Sequence, residues 1–211
     1  MAVRMQMVAL GTLLTVALTL VLAIPAAYAV TRLDFRFKSA MSWGILLVYM
    51  FPSIVIAIPL FVIYTRLGLR GNLLSLIIVY LSTTLPVALY MLRSYLQTLP
   101  AEMEEAALID GCSRIGIIWR IILPLSMPAI ASVGLYTFMI AWNEILFALL
   151  MLTDQPGSWT LPLGLRQLDS QEVPRTMLMA GSVIITVPVI LLFLIFERFI
   201  TRGLTAGAVK G

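Results

Sequence analysis

Histidine is absent from the 211 residues, and cysteine occurs once, at Cys112. Without imidazole there is no His general base, no Ser-His-Asp triad and none of the usual zinc sites. A single thiol forms no internal disulfide and no Cys-based metal site. Charge is the second shortage. Asp, Glu, Lys and Arg make up 11% of the chain, against roughly 25% in a soluble domain. The phosphate-cradling pattern G-x-x-x-x-G-K-[ST] is missing too, so the chain is not expected to hydrolyse ATP or to carry a cofactor of its own. Fixed-period repeats and low-complexity segments are also lacking.

Apolar residues fill the space. They are 61% of the sequence, mean hydropathy is +1.04, and such a composition belongs in a bilayer. The net charge of +4 does not indicate nucleic acid, because the basic residues are scattered between apolar blocks without a basic stripe. Retention of positive charge on the cytoplasmic side explains them.

Blocks of about 20 apolar residues cross a hydrocarbon core of about 30 Å as helices. Five are predicted, at residues 7–29, 39–64, 73–92, 127–152 and 177–196. They are too long and too uniformly apolar for the alternating strands of an outer-membrane barrel. The expected fold is therefore an all-α membrane protein, one transmembrane domain over residues 1–211. Arg4, the first apolar run and Ala27-Tyr28-Ala29 imitate a secretory signal with its cleavage site. That run exceeds the usual signal core, and another span follows it, so a retained transmembrane helix is expected. Five crossings place Arg32, Arg36, Lys38, Arg93, Arg114, Arg120, Arg198, Arg202 and Lys210 on one side. Arg4, Arg66, Arg70, Arg166 and Arg175 fall on the other. The bias predicts an outside N-terminus and a cytoplasmic C-terminus.

The cytoplasmic connection within residues 93–128 reads as two short helices with a sharp corner. Pro100 suits a first helical turn. Glu102, Glu104 and Glu105 then lie where the helix dipole favours negative charge. Leu99, Met103 and Ala106 form an apolar stripe. Gly111 fits a left-handed C-cap, and Ser113 an N-cap for a second helix with the stripe Ile115, Ile118, Trp119, Ile122. Pro124 and Pro128 redirect the chain into the membrane. Helices lying on lipid are rich in Lys and Arg. The first of these helices carries four acids and no base between Leu99 and Asp110, which favours a protein partner.

Glu105-Ala106-Ala107, then Gly111 after three residues, then Ile121-Ile122-Leu123-Pro124 after nine, resembles the EAA signature of ABC importer permeases, E-A-A-x3-G-x9-I-x-L-P. Asp110 beside the glycine extends the likeness. Cys112 stands where members usually carry alanine, also small. Pro25-Ala26-Ala27-Tyr28-Ala29, Trp142-Asn143-Glu144 and the tail from Arg202 to Gly211 resemble the carbohydrate-uptake branch, of the type of the second permease subunit of the maltose system. Members usually have six spans, so the resemblance implies that the first is lacking here, through a truncated gene model or a shortened natural form.

The resemblance implies a bacterial plasma-membrane permease that forms half of a translocation pathway and switches by alternating access. Implied partners are a homologous second permease subunit, two ATP-binding subunits that hold the ATP, an extracytoplasmic sugar-binding protein and the lipid bilayer. It assigns coupling to the ATPase to Glu104, Glu105, Ala106, Ala107, Asp110, Gly111, Leu123 and Pro124. Residues 153–176 resemble the external loop that meets the binding protein, and the tail, 197–211, a segment reaching toward the ATPase. Glu144, a charge deep inside an apolar block, is expected with Trp142 and Asn143 at the translocation path, or else in a structural hydrogen bond between helices. Alternatives are an ABC permease for a polyamine, an amino acid or an ion, and an ion-coupled carrier, which would leave the EAA pattern unexplained. An intramembrane enzyme lacks any catalytic constellation.

Overall fold

The computed structural model describes residues 2–36, 38, 40, 44, 47, 50–169 and 173–208. Among them the regular structure is entirely helical: α1 (Ala2–Arg32), α2 (Ser53–Arg66), α3 (Leu73–Leu96), α4 (Glu102–Ile109), α5 (Arg114–Leu125), α6 (Met127–Asn143), α7 (Leu146–Leu152), α8 (Leu161–Leu168) and α9 (Arg175–Ala208), with a 3-10 turn at Pro156–Ser158. The predicted apolar blocks are helical where described, except at Phe51-Pro52 and at Glu144-Ile145. Most of residues 39–49, residues 170–172 of the external loop and residues 209–211 of the tail lie outside the described residues.

Among the described residues, three helices are long and apolar enough to cross a membrane: Ala9–Arg32, Leu73–Leu96 and Arg175–Phe199. The bent pair Arg114–Leu125 and Met127–Asn143, kinked by 79°, makes a fourth if it counts as one span. The fourth predicted span, 127–152, is not continuous. Its helix stops at Asn143 and a second begins at Leu146, because Glu144 (ψ 130°) leaves helical geometry.

Helices α1, α3 and α6 pack against one another, and α9 leans on α6. Helix association in lipid gains nothing from hiding apolar surface, so close approach and polar contacts hold helices together. The sequence supplies both. Ala23, Ala27, Ala88 and Val133 are fully buried, as are Thr15, Thr19, Thr84 and Thr137. Thr84 donates to the Tyr80 carbonyl (2.7 Å), which leaves Thr19 as donor in the 3.1 Å contact between the two threonine hydroxyls of α1 and α3. Ala27 and Tyr28, the residues that imitate a cleavage site, are core residues of this bundle.

A second core unites α2, the first half of α3, α7 and Leu163 of α8. The turn leaving α2 is closed by Gly68 (φ 69°), with Leu69 N–H bonded to Tyr64 O (2.9 Å). Gly71 N–H then reaches Met151 O (2.9 Å), Arg70 pairs with Asp154, and its guanidinium lies 5.1 Å above the Phe61 ring. The charge of Arg70, one of the basic residues expected on the outer side, is thus neutralised locally. Residues 153–176, expected as a connector, contain helix α8. Thr160 starts it by accepting from Leu163 N–H (3.4 Å), and Trp159 Nε1 caps α7 by donating to Leu152 O (3.0 Å) and Thr153 O (3.1 Å).

Candidate functional site

The corner predicted at Gly111 is present. Gly111 has φ 81°, its N–H bonds to Leu108 O (3.1 Å), and Cys112 N–H reaches Ala107 O (2.9 Å). This is the paired-bond helix stop that a left-handed residue permits. Ser113 then caps α5 by accepting from Gly116 N–H (3.1 Å). Helix α4 starts at Glu102, with the Ala101 carbonyl taking the N–H of Glu104 (2.9 Å) and Glu105 (3.1 Å), so Pro100 precedes the helix instead of occupying its first turn.

The two stripes face differently from expectation. On α4, Met103 and Ala106 point to solvent, together with Ile109, which is 87% exposed. The buried pair is Glu104 and Ala107, one turn apart. On α5, Ile115 and Trp119 are exposed while Ile117 and Ile122 are buried. The cause is a change of winding. Residues Ile118–Ile122 are π-helical, with Leu123 N–H bonded to Ile118 O. An i→i+5 bond widens the turn, so residues five apart, here Ile117 and Ile122, share the inner face. The rod then bends at Ser126, where the Tyr95 hydroxyl donates to the freed Leu125 carbonyl (2.9 Å).

Of the residues assigned to coupling, Glu105, Ala106, Asp110, Gly111 and Pro124 are exposed and Leu123 is half-buried. Glu104 and Ala107 are not on the solvent face. Glu104 accepts from Arg32 Nε at 2.7 Å, and Arg32 Nη2 donates to Leu96 O (3.1 Å) and Leu99 O (2.8 Å). The side chains are 16% and 9% exposed. Tyr28, one turn earlier on α1, lies beside both Glu104 and Arg114. Removing one partner from a pair this enclosed strands the other charge, at about 3–5 kcal/mol. Arg32 entered the sequence reading only as one of the cytoplasmic positive charges. Nothing local in the sequence distinguished Glu104 from its exposed neighbour Glu105 as the partner of Arg32.

Over residues 5–205 the chain matches the family described as the inner membrane component of binding-protein-dependent transport systems. The chain belongs to that family. This permease is 44% identical over 191 residues to the inner membrane ABC transporter permease protein YcjP of Escherichia coli (strain K12), covering 90% of this chain and 68% of that one. It is 42% identical over 188 residues to the trehalose/maltose transport system permease protein MalG of Thermococcus litoralis, covering 88% and 67%. In fold it resembles a chain of a bacterial ABC transporter involved in import of the acidic polysaccharide alginate, with TM-score 0.78 at 23% identity, over 92% of this chain and 73% of the other. The permease is a multi-pass membrane component of an ABC transport system.

The permease does not bring Trp142, Asn143 and Glu144 to one surface. Successive helical residues point about 100° apart. Trp142 is buried, stacked on Phe138 (5.2 Å between centroids), with its indole N–H donating to Ile185 O of α9 (2.9 Å). Asn143 is exposed, donates to Met139 O (2.9 Å), and edges an open groove of about 420 Å³ that also holds Arg166 and Asp169. Glu144 lies at the break, not within a continuous helix. Its carboxylate accepts from Phe147 N–H (2.7 Å), Ala148 N–H (3.1 Å) and the Tyr80 hydroxyl (3.1 Å). It therefore caps α7, where orphan N–H groups and the helix dipole welcome a negative charge, and ties that cap to α3. Nothing in the pattern of the sequence pointed to Tyr80 except that a lone carboxylate in an apolar block needs a donor.

Proposed function

We propose that this chain is the permease subunit of an ATP-driven sugar importer and forms half of the translocation pathway with a homologous second permease subunit. Two separate ATP-binding subunits supply the energy by docking on α4 and α5, and an extracytoplasmic binding protein delivers the sugar near residues 153–176. The chain itself neither binds nor hydrolyses ATP, and its 211 residues act as one domain. The observation that carries this reading is the uncovered face of the EAA segment. Met103, Ile109, Ile115 and Trp119 are 40%, 87%, 70% and 69% exposed beside the acids Glu105 and Asp110. Large apolar side chains on an acidic, water-facing corner mark a protein interface, with a tryptophan as the favoured kind of anchor. The sugar assignment is supported by the WNE triplet, by the tail and by the trehalose/maltose relative.

The same reading orients the chain. Arg32 and the EAA corner adjoin the first core, and the exposed contact between Arg70 and Asp154 lies beside the second. The corner is cytoplasmic, the C-terminus is cytoplasmic and the N-terminus lies outside.

The test co-expresses the permease with the subunits of its own transporter. Ile109→Glu and Glu105→Gln are expected to lose the ATP-binding subunits on purification and to abolish ATP-driven uptake of labelled trehalose or maltose into proteoliposomes. Membrane insertion and melting temperature should not change. Retention of the ATPase with normal uptake in both variants would refute the docking site. Wild-type uptake of a polyamine or amino acid in place of either sugar would refute the substrate class.

A further inference from the structure

The EAA corner must pass its motion into the membrane, and chain connectivity suggests the route through α3, which precedes it. The contacts indicate another route. Between Leu96, the last residue of α3, and Glu102, the first of α4, the chain makes turns but no helix, so α3 and α4 are not one rigid rod. Arg32, the last residue of α1, spans that hinge. It holds Glu104 of α4 at 2.7 Å and the carbonyls of Leu96 and Leu99 on either side of the turn at 3.1 and 2.8 Å. Ile117 and Ile122 of α5 share one core with Ala27 and Tyr28 of α1, so both helices of the corner pack against the end of α1. A planar guanidinium forked onto a carboxylate and two carbonyls fixes direction as well as distance. An arginine that merely anchored the helix end in the cytosol would leave its donors in water; this one is mostly enclosed.

We propose that Arg32 and Glu104 are the link that makes α1 the driven helix: when the ATPase moves the corner, α4 and the end of α1 move as one body, and α1 carries the displacement into the bundle. There it engages α3 through Thr19 and Thr84 and meets α6 along Ala23, Ala27 and Val133. The link rests on the reading of the corner as the ATPase dock, and it lies on the opposite face of α4 from Ile109.

The experiment uses the complete transporter in proteoliposomes and measures ATPase retention, ATP hydrolysis and sugar uptake. Arg32→Gln and Glu104→Gln are expected to keep the ATP-binding subunits and their hydrolysis while uptake per ATP falls roughly tenfold, inside the 5–150-fold span usual for coupling between sites. The exchange Arg32→Glu with Glu104→Arg restores most of it. In a Cys112→Ala background, Arg32→Cys with Glu104→Cys is uncoupled until a short bifunctional thiol reagent bridges the two, and bridging restores uptake per ATP. Unchanged uptake per ATP in the single variants overturns the link. So does loss of the ATPase from them, which would make the pair a docking device, and so does a bridge that blocks transport. A wild-type permease that holds no ATPase would instead defeat the docking reading.

Discussion

Replacing Glu144 by alanine removes the acceptor of three groups at once: the N–H of Phe147 and Ala148 and the hydroxyl of Tyr80. Phe147, Ala148 and Tyr80 are all buried, so solvent does not take over. Each orphaned group costs about 1–3 kcal/mol; the lower ends alone add to about 3 kcal/mol. Glu144→Gln keeps one acceptor oxygen and strands one N–H, about 1–3 kcal/mol. It also gives up the charge facing the α7 dipole, about 0.3–1 kcal/mol. Tyr80→Phe leaves the cap whole and costs about 1 kcal/mol. The expected order of destabilisation is Ala, Gln, then the tyrosine change. Melting in lipid nanodiscs, followed by tryptophan fluorescence, reads it. At roughly 2–4 °C per kcal/mol for a chain of this size, the alanine variant should melt about 6–12 °C below wild type. A cycle combining Tyr80→Phe with Glu144→Gln should be non-additive, because the two groups touch. If Glu144→Ala melts with the wild type while sugar uptake collapses, the carboxylate serves the translocation path and the second half-helix needs no cap.

Gly111→Ala meets no steric obstacle, since nothing lies within 4 Å of the added Cβ, and the whole penalty is the left-handed backbone at φ 81°. A loss of about 1–2 kcal/mol is expected, with Gly111→Asn milder because Asn visits that region more readily; equal melting of glycine and alanine forms would show that the corner does not need its glycine. Gly181→Ala places a methyl 2.5 Å from Leu165 Cδ1, so Leu165 must turn away and α8 loosens from α9. A drop of about 1–3 kcal/mol follows from overpacking, read as earlier melting, and an unchanged transition would mean the two helices do not press together in the membrane.

The parts of the fold legible in the sequence were those set by local chemistry. Long apolar runs had to be helical in lipid. Gly111 and Ser113 announced a stop and a start because each satisfies backbone groups within a few residues. What stayed hidden depended on distant partners or on phase. Arg32 meets Glu104 across 72 positions, and no local rule pairs them. Glu144 broke its helix because the carboxylate turned back to cap α7, an option that hydropathy does not register. Helix α8 was folded into a loop by its Pro and Gly, although Thr160 before Leu161-Pro162 is a fair N-cap. The stripe on α5 was phased at 3.6 residues per turn, and the π winding altered that phase.

That winding sets the aim of the corner. Ile115 and Trp119 look outward on one side of it while Ile117 and Ile122 seat against α3 and α1 on the other. A helix advances about 100° per residue, so a chain shorter by one within Ile118–Ile122 would wind evenly and arrive at Leu123 rotated by that angle. Either the outward anchors would swing aside from whatever they grip, or Pro124 would enter the bilayer facing the wrong neighbour. The surplus residue behaves like a keyed shaft coupling, and insertions or deletions should be far less forgivable in these five positions than in the turns around them.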